Sequence, residues 1–120
     1  MEEVSPRIPD LDRQAWAVFQ EAIDLLGGPR GLVEHKRLTW LPSLMEAAYA
    51  VVMHEAGHRS ADEIAQFLGL SRAAVRQILT ASPERALERL QGAAAGHTHV
   101  AGGLAKLAWQ RLRERSTELV

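Results

Sequence analysis

Two stretches of this chain hold side chains whose types and spacing suit chemistry. The first is His54-Glu55-Ala56-Gly57-His58. On a continuous helix, two histidines four residues apart share one face and can hold zinc, and the glutamate after the first can activate a metal-bound water. A catalytic zinc needs a third protein ligand, for which the chain offers His35, His97, His99 or an acid. The neighbouring residues oppose this chemistry. Gly57 is a helix stop signal, and Ser60 offers the next helix start three residues later, so His58 falls in a linker. In His97-Thr98-His99 the threonine reads as a helix cap with exposed histidines beside it. The expectation is therefore a capped helix end, no cofactor and no enzyme, with His54 and His58 kept as the metal-binding alternative.

The second stretch is residues 61–80, A-D-E-I-A-Q-F-L-G-L-S-R-A-A-V-R-Q-I-L-T. It predicts two short helices and a tight turn. Ser60 is a good N-cap, and Glu63 three residues on completes a capping box. Ile64, Ala65, Phe67 and Leu68 make one apolar face at helical spacing. Gly69 ends the first helix, since the turn needs a positive φ that glycine accepts without steric cost. Ser71 caps the second helix, whose inner face is Ala74, Val75, Ile78 and Leu79.

This pattern resembles the helix-turn-helix superfamily of transcription regulators. The resemblance rests on the small residue Ala65 in the first helix, Gly69 in the turn, and the flanking aliphatics Ile64, Leu68, Leu70, Val75 and Ile78. It implies that the second helix reads DNA from its first turn and the next outward positions, which here hold Ser71, Arg72, Ala73, Arg76, Gln77 and Thr80. Arginine can reach both acceptors of guanine and glutamine can pair bidentately with adenine, so Arg72, Arg76 and Gln77 are the expected base readers. Ala73 suits a thymine methyl. Ser71, Thr80 and Arg59 suit phosphates.

The whole chain bounds these readings. Its 120 residues suffice for one modest core, and 47% hydrophobic with 24% charged residues is ordinary for a globular protein. No apolar run reaches bilayer-spanning length and no signal peptide opens the chain, so no membrane partner is expected. Zero cysteines excludes disulfides and thiolate metal sites and fits a cytoplasmic protein. The net charge of −1 is not that of a monomer gripping nucleic acid strongly. Charge is uneven, however. Residues 1–30 hold Glu2, Glu3, Asp10, Asp12, Glu21 and Asp24 against Arg7, Arg13 and Arg30, whereas residues 101–120 hold Lys106, Arg111, Arg113 and Arg115 against Glu114 and Glu118.

The elements that must position the two stretches follow from hydrophobic spacing. Residues 1–9 read as a flexible leader. Asp10 caps a helix to about Leu26, with Leu11, Ala15, Val18, Phe19, Ala22, Ile23 and Leu26 as its stripe, Trp16 widening it, and Gly27-Gly28-Pro29 ending it. It is a packing or dimerisation helix. Residues 31–38 read as a short strand or an irregular bridge, with Lys36 and Arg37 as a solvated pair in preference to phosphate contacts. Thr39 caps a helix from Trp40 to about Ala56, with Pro42 in its first turn. Ser82-Pro83 starts another helix, carrying Ala86, Leu87 and Leu90, that Gly92 stops. A last helix runs from Thr98 to about Arg115 on Val100, Leu104, Leu107, Ala108 and Leu112, with Trp109 flanking. Gly102-Gly103 inside it points to a close helix contact or a kink. The expected fold is all-α: a trihelical helix-turn-helix core with additional N-terminal and C-terminal helices. The divisions are 1–9, the helix and linker 10–38, and the helix-turn-helix domain with its C-terminal helices, 39–120.

A narrower resemblance covers residues 38–110. L-T-W-L-P-S-L-M-E-A-A-Y-A-V-V-M-H-E-A-G-H, the pair at 61–80, P-E-R-A-L-E-R-L and H-V-A-G-G-L-A-K-L-A together are similar to a small family of probable regulatory domains encoded beside KaiC-like ATPases. It implies a regulatory role with a KaiC-like ATPase as partner. H-E-A-G-H also resembles the motif of a membrane-bound AAA protease family, whose other motifs and ATPase domain are absent here. The readings, in order, are a regulator of transcription binding double-stranded DNA as a homodimer, a regulatory adaptor that docks a KaiC-like ATPase or other protein, and a zinc metallopeptidase.

Overall fold

Apolar residues spaced three and four apart build most of the described elements, and every one of these elements is a helix. In the computed structural model, residues 8–34, 41–85 and 97–118 are described. The helices are α1 (Ile8–Leu25), α2 (Gly28–Glu34), α3 (Leu41–Glu55), α4 (Ala61–Leu68), α5 (Arg72–Thr80) and α6 (His97–Glu118). A helical turn at 83–85 opens toward residues outside the described ones. No strand occurs among the described residues. No helix there is long and apolar enough to cross a membrane.

α3 lies at the centre. Leu44, Ala47, Ala48, Ala50, Val51, Val52 and Met53 are all buried, so apolar residues cover most of its circumference. A helix buried nearly all round belongs inside a bundle rather than on its surface. α1 and α6 pack on α3 and on each other, and α4 and α5 also pack on it. Leu11, Ala15, Val18, Ala22 and Leu26 of the α1 side share one apolar cluster with α3 and with Val100, Ala101, Leu104, Ala105 and Ala108 of α6. Two polar ties fix the outer helices. Tyr49 donates a 2.8 Å hydrogen bond to Asp12, which raises the Tyr49 phenol above its ordinary range. Arg115 meets the buried Glu21 carboxylate at 2.6 Å, bridging α6 to α1.

Several expectations are corrected. α1 begins at Ile8, which places Pro9 and Asp10 in its first turn. Residues 28–34 form a helix and neither strand nor bridge, so Gly27-Gly28-Pro29 ends one helix and starts the next. Gly27 (φ +107°) and Gly28 (φ +68°) turn the chain back. α2 then lies so close to α1 that a Cβ at residue 31 would fall 2.0 Å from the Leu26 carbonyl oxygen, which only glycine avoids. Trp16 does not widen the buried stripe. It is 54% exposed and stacks on Phe19 with ring centres 5.6 Å apart. α6 starts at His97, so Thr98 lies inside the helix and not at its cap. His35, Lys36, Arg37, Thr39, Ala86, Leu87, Leu90 and Gly92 lie outside the described residues.

Candidate nucleic-acid interface

The α4–α5 pair is built by short-range hydrogen bonds. Ser60, in extended geometry, accepts from the Glu63 backbone N–H at 3.1 Å, and its own N–H donates to the Glu63 carboxylate at 3.0 Å. That backbone bond is the main reason the Glu63 carboxyl sits below its ordinary value. Gly69 takes φ +69° and ψ +31° and closes α4 on the Ala65 carbonyl, to which Leu70 N–H also donates. A Cβ at residue 69 would meet nothing within 4 Å, so its glycine answers a backbone need and not a lack of space. Ser71 caps α5 by accepting from Ala74 N–H at 3.0 Å.

Ile64 and Ala65 of α4 and Val75 and Ile78 of α5 are buried against α3 and each other. Phe67 was expected on this inner face. It lies at the rim, 46% exposed, with its ring tilted against Tyr49 at 5.6 Å.

α6 holds α5 from behind. At Gly102 the two backbones approach so closely that a Cβ would stand 2.8 Å from the Ile78 carbonyl oxygen and 2.9 Å from Ile78 Cα. The glycine thus serves the close helix contact its sequence position suggested. One turn on, Lys106 Nζ donates to the carbonyls of Leu79 at 2.8 Å and Ala81 at 3.0 Å. These carbonyls at the C-terminal end of α5 have no partner within the helix, and a cation there also complements the helix dipole.

The side of α5 turned away from the core exposes Arg72, Ala73, Arg76, Gln77 and Thr80. Four of the expected contact residues, Arg59, Ser71, Arg72 and Thr80, already have partners within the protein. Arg72 is bound by Asp62 of α4 through two hydrogen bonds, Nε to Oδ1 and Nη2 to Oδ2, each 2.5 Å. The pair lowers the Asp62 carboxyl below its ordinary value and raises Arg72. The sequence shows no acid on α5 itself; the balancing charge comes from the preceding helix. Thr80 Oγ1 donates to the Arg76 carbonyl at 2.7 Å. A phosphate oxygen only accepts, so Thr80 would have to give up this bond to serve one. Ser71 uses its oxygen as an acceptor, and its hydroxyl proton remains to donate. Arg59 is partly buried and lies 3.7 Å from the Glu63 carboxylate.

The His54–His58 stretch has a different geometry from a zinc-binding helix. α3 ends at Glu55. Ala56 and Gly57 both donate to the Val52 carbonyl, and Arg59 N–H closes on the Met53 carbonyl at 2.9 Å. The left-handed residue is His58 (φ +51°) and not Gly57. Histidine tolerates that region better than most residues. Gly57 is needed for room, since a Cβ there would meet the Met53 carbonyl oxygen at 2.9 Å and Leu11 Cδ1 at 3.3 Å. The one-face spacing that zinc ligation requires is thus broken between the two histidines. Among the described residues, no three His, Cys, Asp or Glu side chains converge to hold a metal.

Sequence reasoning missed Asp62 and Lys106. Asp62 was legible only as an acid in the first turn of α4, where it suits the helix dipole. Lys106 was legible only as one of four cations in the basic C-terminal segment. Compared with known proteins, the chain matches no family model, no curated protein and no solved structure.

Proposed function

We propose that the chain regulates transcription by binding double-stranded DNA through α5, as a cytoplasmic homodimer. The observation that carries this reading is the outward face of α5. Arg72, Ala73, Arg76 and Gln77 stand together on solvent, on a helix whose opposite side is fixed by the Gly69 turn, the Ser71 cap and the α6 contacts. A short helix with a rigid inner side and a polar outer side bearing arginine and glutamine suits the major groove. With a net charge of −1, one such face gives weak, salt-sensitive binding. Two copies presenting α5 roughly 34 Å apart would span one turn of DNA and supply the missing affinity. α1, with the exposed Trp16, and α6 are the surfaces for that pairing.

The test is enrichment from a randomised DNA pool at two salt concentrations, with the Arg76→Ala/Gln77→Ala double variant alongside. A palindromic site, enriched by the natural chain and lost in the variant, is the expected result. Absence of any enriched site would sink the reading.

A second reading has its own support. The Arg72–Asp62 pair cancels charge on the outer face of α5, and α4 also carries the half-exposed Phe67. Both features suit a protein partner, and a regulatory adaptor docking a KaiC-like ATPase would use them.

A further inference from the structure

The geometry points to Asp62 as a positioning residue that aims Arg72 at a guanine. This rests on the DNA-binding reading of α5 and names what that face selects.

A guanidinium carries five N–H groups in one plane. Asp62 occupies the side edge, taking Nε–H on Oδ1 and one Nη2–H on Oδ2. The end edge is left whole, with one N–H on Nη1 and one on Nη2 pointing parallel and away from the carboxylate. That fork matches the O6 and N7 acceptors of guanine in the major groove and matches no other base there.

Both ends of the pair stand on fixed backbone. Asp62 is in the first turn of α4, whose start is set by the Ser60–Glu63 capping box. Arg72 is the first residue of α5, directly after the Ser71 cap. Its position is the one from which a groove-reading helix meets base edges. Arg72 alone, more than half exposed, would sample many rotamers. The two-point contact to Asp62 selects one of them before any base arrives, so less freedom is lost on binding.

A carboxylate beside DNA would ordinarily repel phosphate. Here Arg72 neutralises it, and Arg76, close enough to help lower the Asp62 carboxyl, adds a second positive charge. A lysine at position 72 would keep the charge and lose both forks, since an ammonium cannot bond a carboxylate and a base edge bidentately at once.

The experiment is pool enrichment with the natural chain, Asp62→Asn, Arg72→Lys, Arg72→Ala and the Asp62→Asn/Arg72→Ala double variant, each first shown to be folded by thermal unfolding. The natural chain is expected to require guanine at one position of each half-site. Asp62→Asn should lower that preference by about ten-fold, within the range one bidentate base contact supplies, and leave the other positions unchanged. Arg72→Lys should lose the same position. In the Arg72→Ala background, Asp62→Asn should change nothing further. The inference is overturned if Asp62→Asn keeps the guanine preference, or if it tightens binding to all sequences evenly, which would make the carboxylate a mere repellent. If the natural chain enriches a site while Asp62→Asn behaves like it, only this inference fails. If the natural chain enriches none, the DNA-binding reading fails as well.

Discussion

Replacing Gly102 with alanine should destabilise the protein, although alanine is the better helix former. In an exposed helix interior the exchange gains about 1 kcal/mol. At this position the new Cβ would sit 2.8 Å from the Ile78 carbonyl oxygen, 2.9 Å from Ile78 Cα and 3.1 Å from Ala81 Cβ. Carbon atoms rest at about 3.5–4.0 Å, so α5 and α6 would have to part by more than half an ångström. Two of the three atoms are backbone and cannot rotate away. Lys106, bonded to the Leu79 and Ala81 carbonyls one turn on, resists the separation. Overpacking of this kind costs about 1–3 kcal/mol, and the rigid neighbours place it toward the upper end. The net loss is then about 1–2 kcal/mol, which lowers the melting temperature by roughly 3–8 °C for a chain of this size. The assay is thermal and urea unfolding followed by circular dichroism. Gly69→Ala is the control. Nothing lies within 4 Å of its Cβ, so its cost is the left-handed backbone alone, about 1–2 kcal/mol. Asparagine should recover part of that loss at 69 and none of it at 102. An unchanged or raised melting temperature for Gly102→Ala would refute the reasoning, because it would mean the α5–α6 contact yields freely.

Lys106→Met keeps the apolar stem but leaves two carbonyls at the end of α5 without their donor; a loss of about 1–3 kcal/mol is expected, with faster amide exchange confined to the last turn of α5. Lys106→Arg should restore part of it. Ser60→Ala removes the α4 cap and should cost about 1 kcal/mol in urea unfolding, with the α4 amides exchanging first. Acid should weaken the fold through Asp62 and Glu63. Their folded carboxyls titrate below the ordinary values of 3.8 and 4.5, so their stabilisation is present above that range and is lost as pH falls through the lowered values. Urea titrations between about pH 6 and pH 3 should show this slope, and Glu63→Gln should flatten it. Tyr49 has the opposite sign: its phenol is raised above 10.0, so its bond to Asp12 supports the fold below that pH and is lost above it. Tyr49→Phe should then reduce the alkaline loss seen by the same method.

The features legible in the sequence are those whose causes lie within a few residues. Ser60 and Glu63 share two hydrogen bonds across one turn, Ser71 caps the helix that follows it, and Gly69 takes the positive φ its turn demands. The stripe Leu11, Ala15, Val18, Ala22 is periodic and is buried as its period requires. Residues 28–34 were not legible, since a seven-residue helix has less than two full turns of pattern to display. His54 and His58 match a metal motif in letters, but letters do not record where the helix stops. The helix stops at Glu55, Gly57 passes close to the Met53 carbonyl and Leu11, and the left-handed residue falls at His58.

By itself, then, the sequence determined the all-α class, the caps of α4 and α5 and the polar outer side of α5, because backbone hydrogen bonding and side-chain period act over one or two turns. Only the tertiary structure decided which helix lies inside, why Gly102 has no side chain, and what Arg72 and Lys106 hold. Asp62 and Arg72 are ten residues apart and on different helices, and Lys106 reaches α5 from beyond another stretch of chain. Such contacts depend on the angle and distance at which two helices cross, and packing of the whole core sets both.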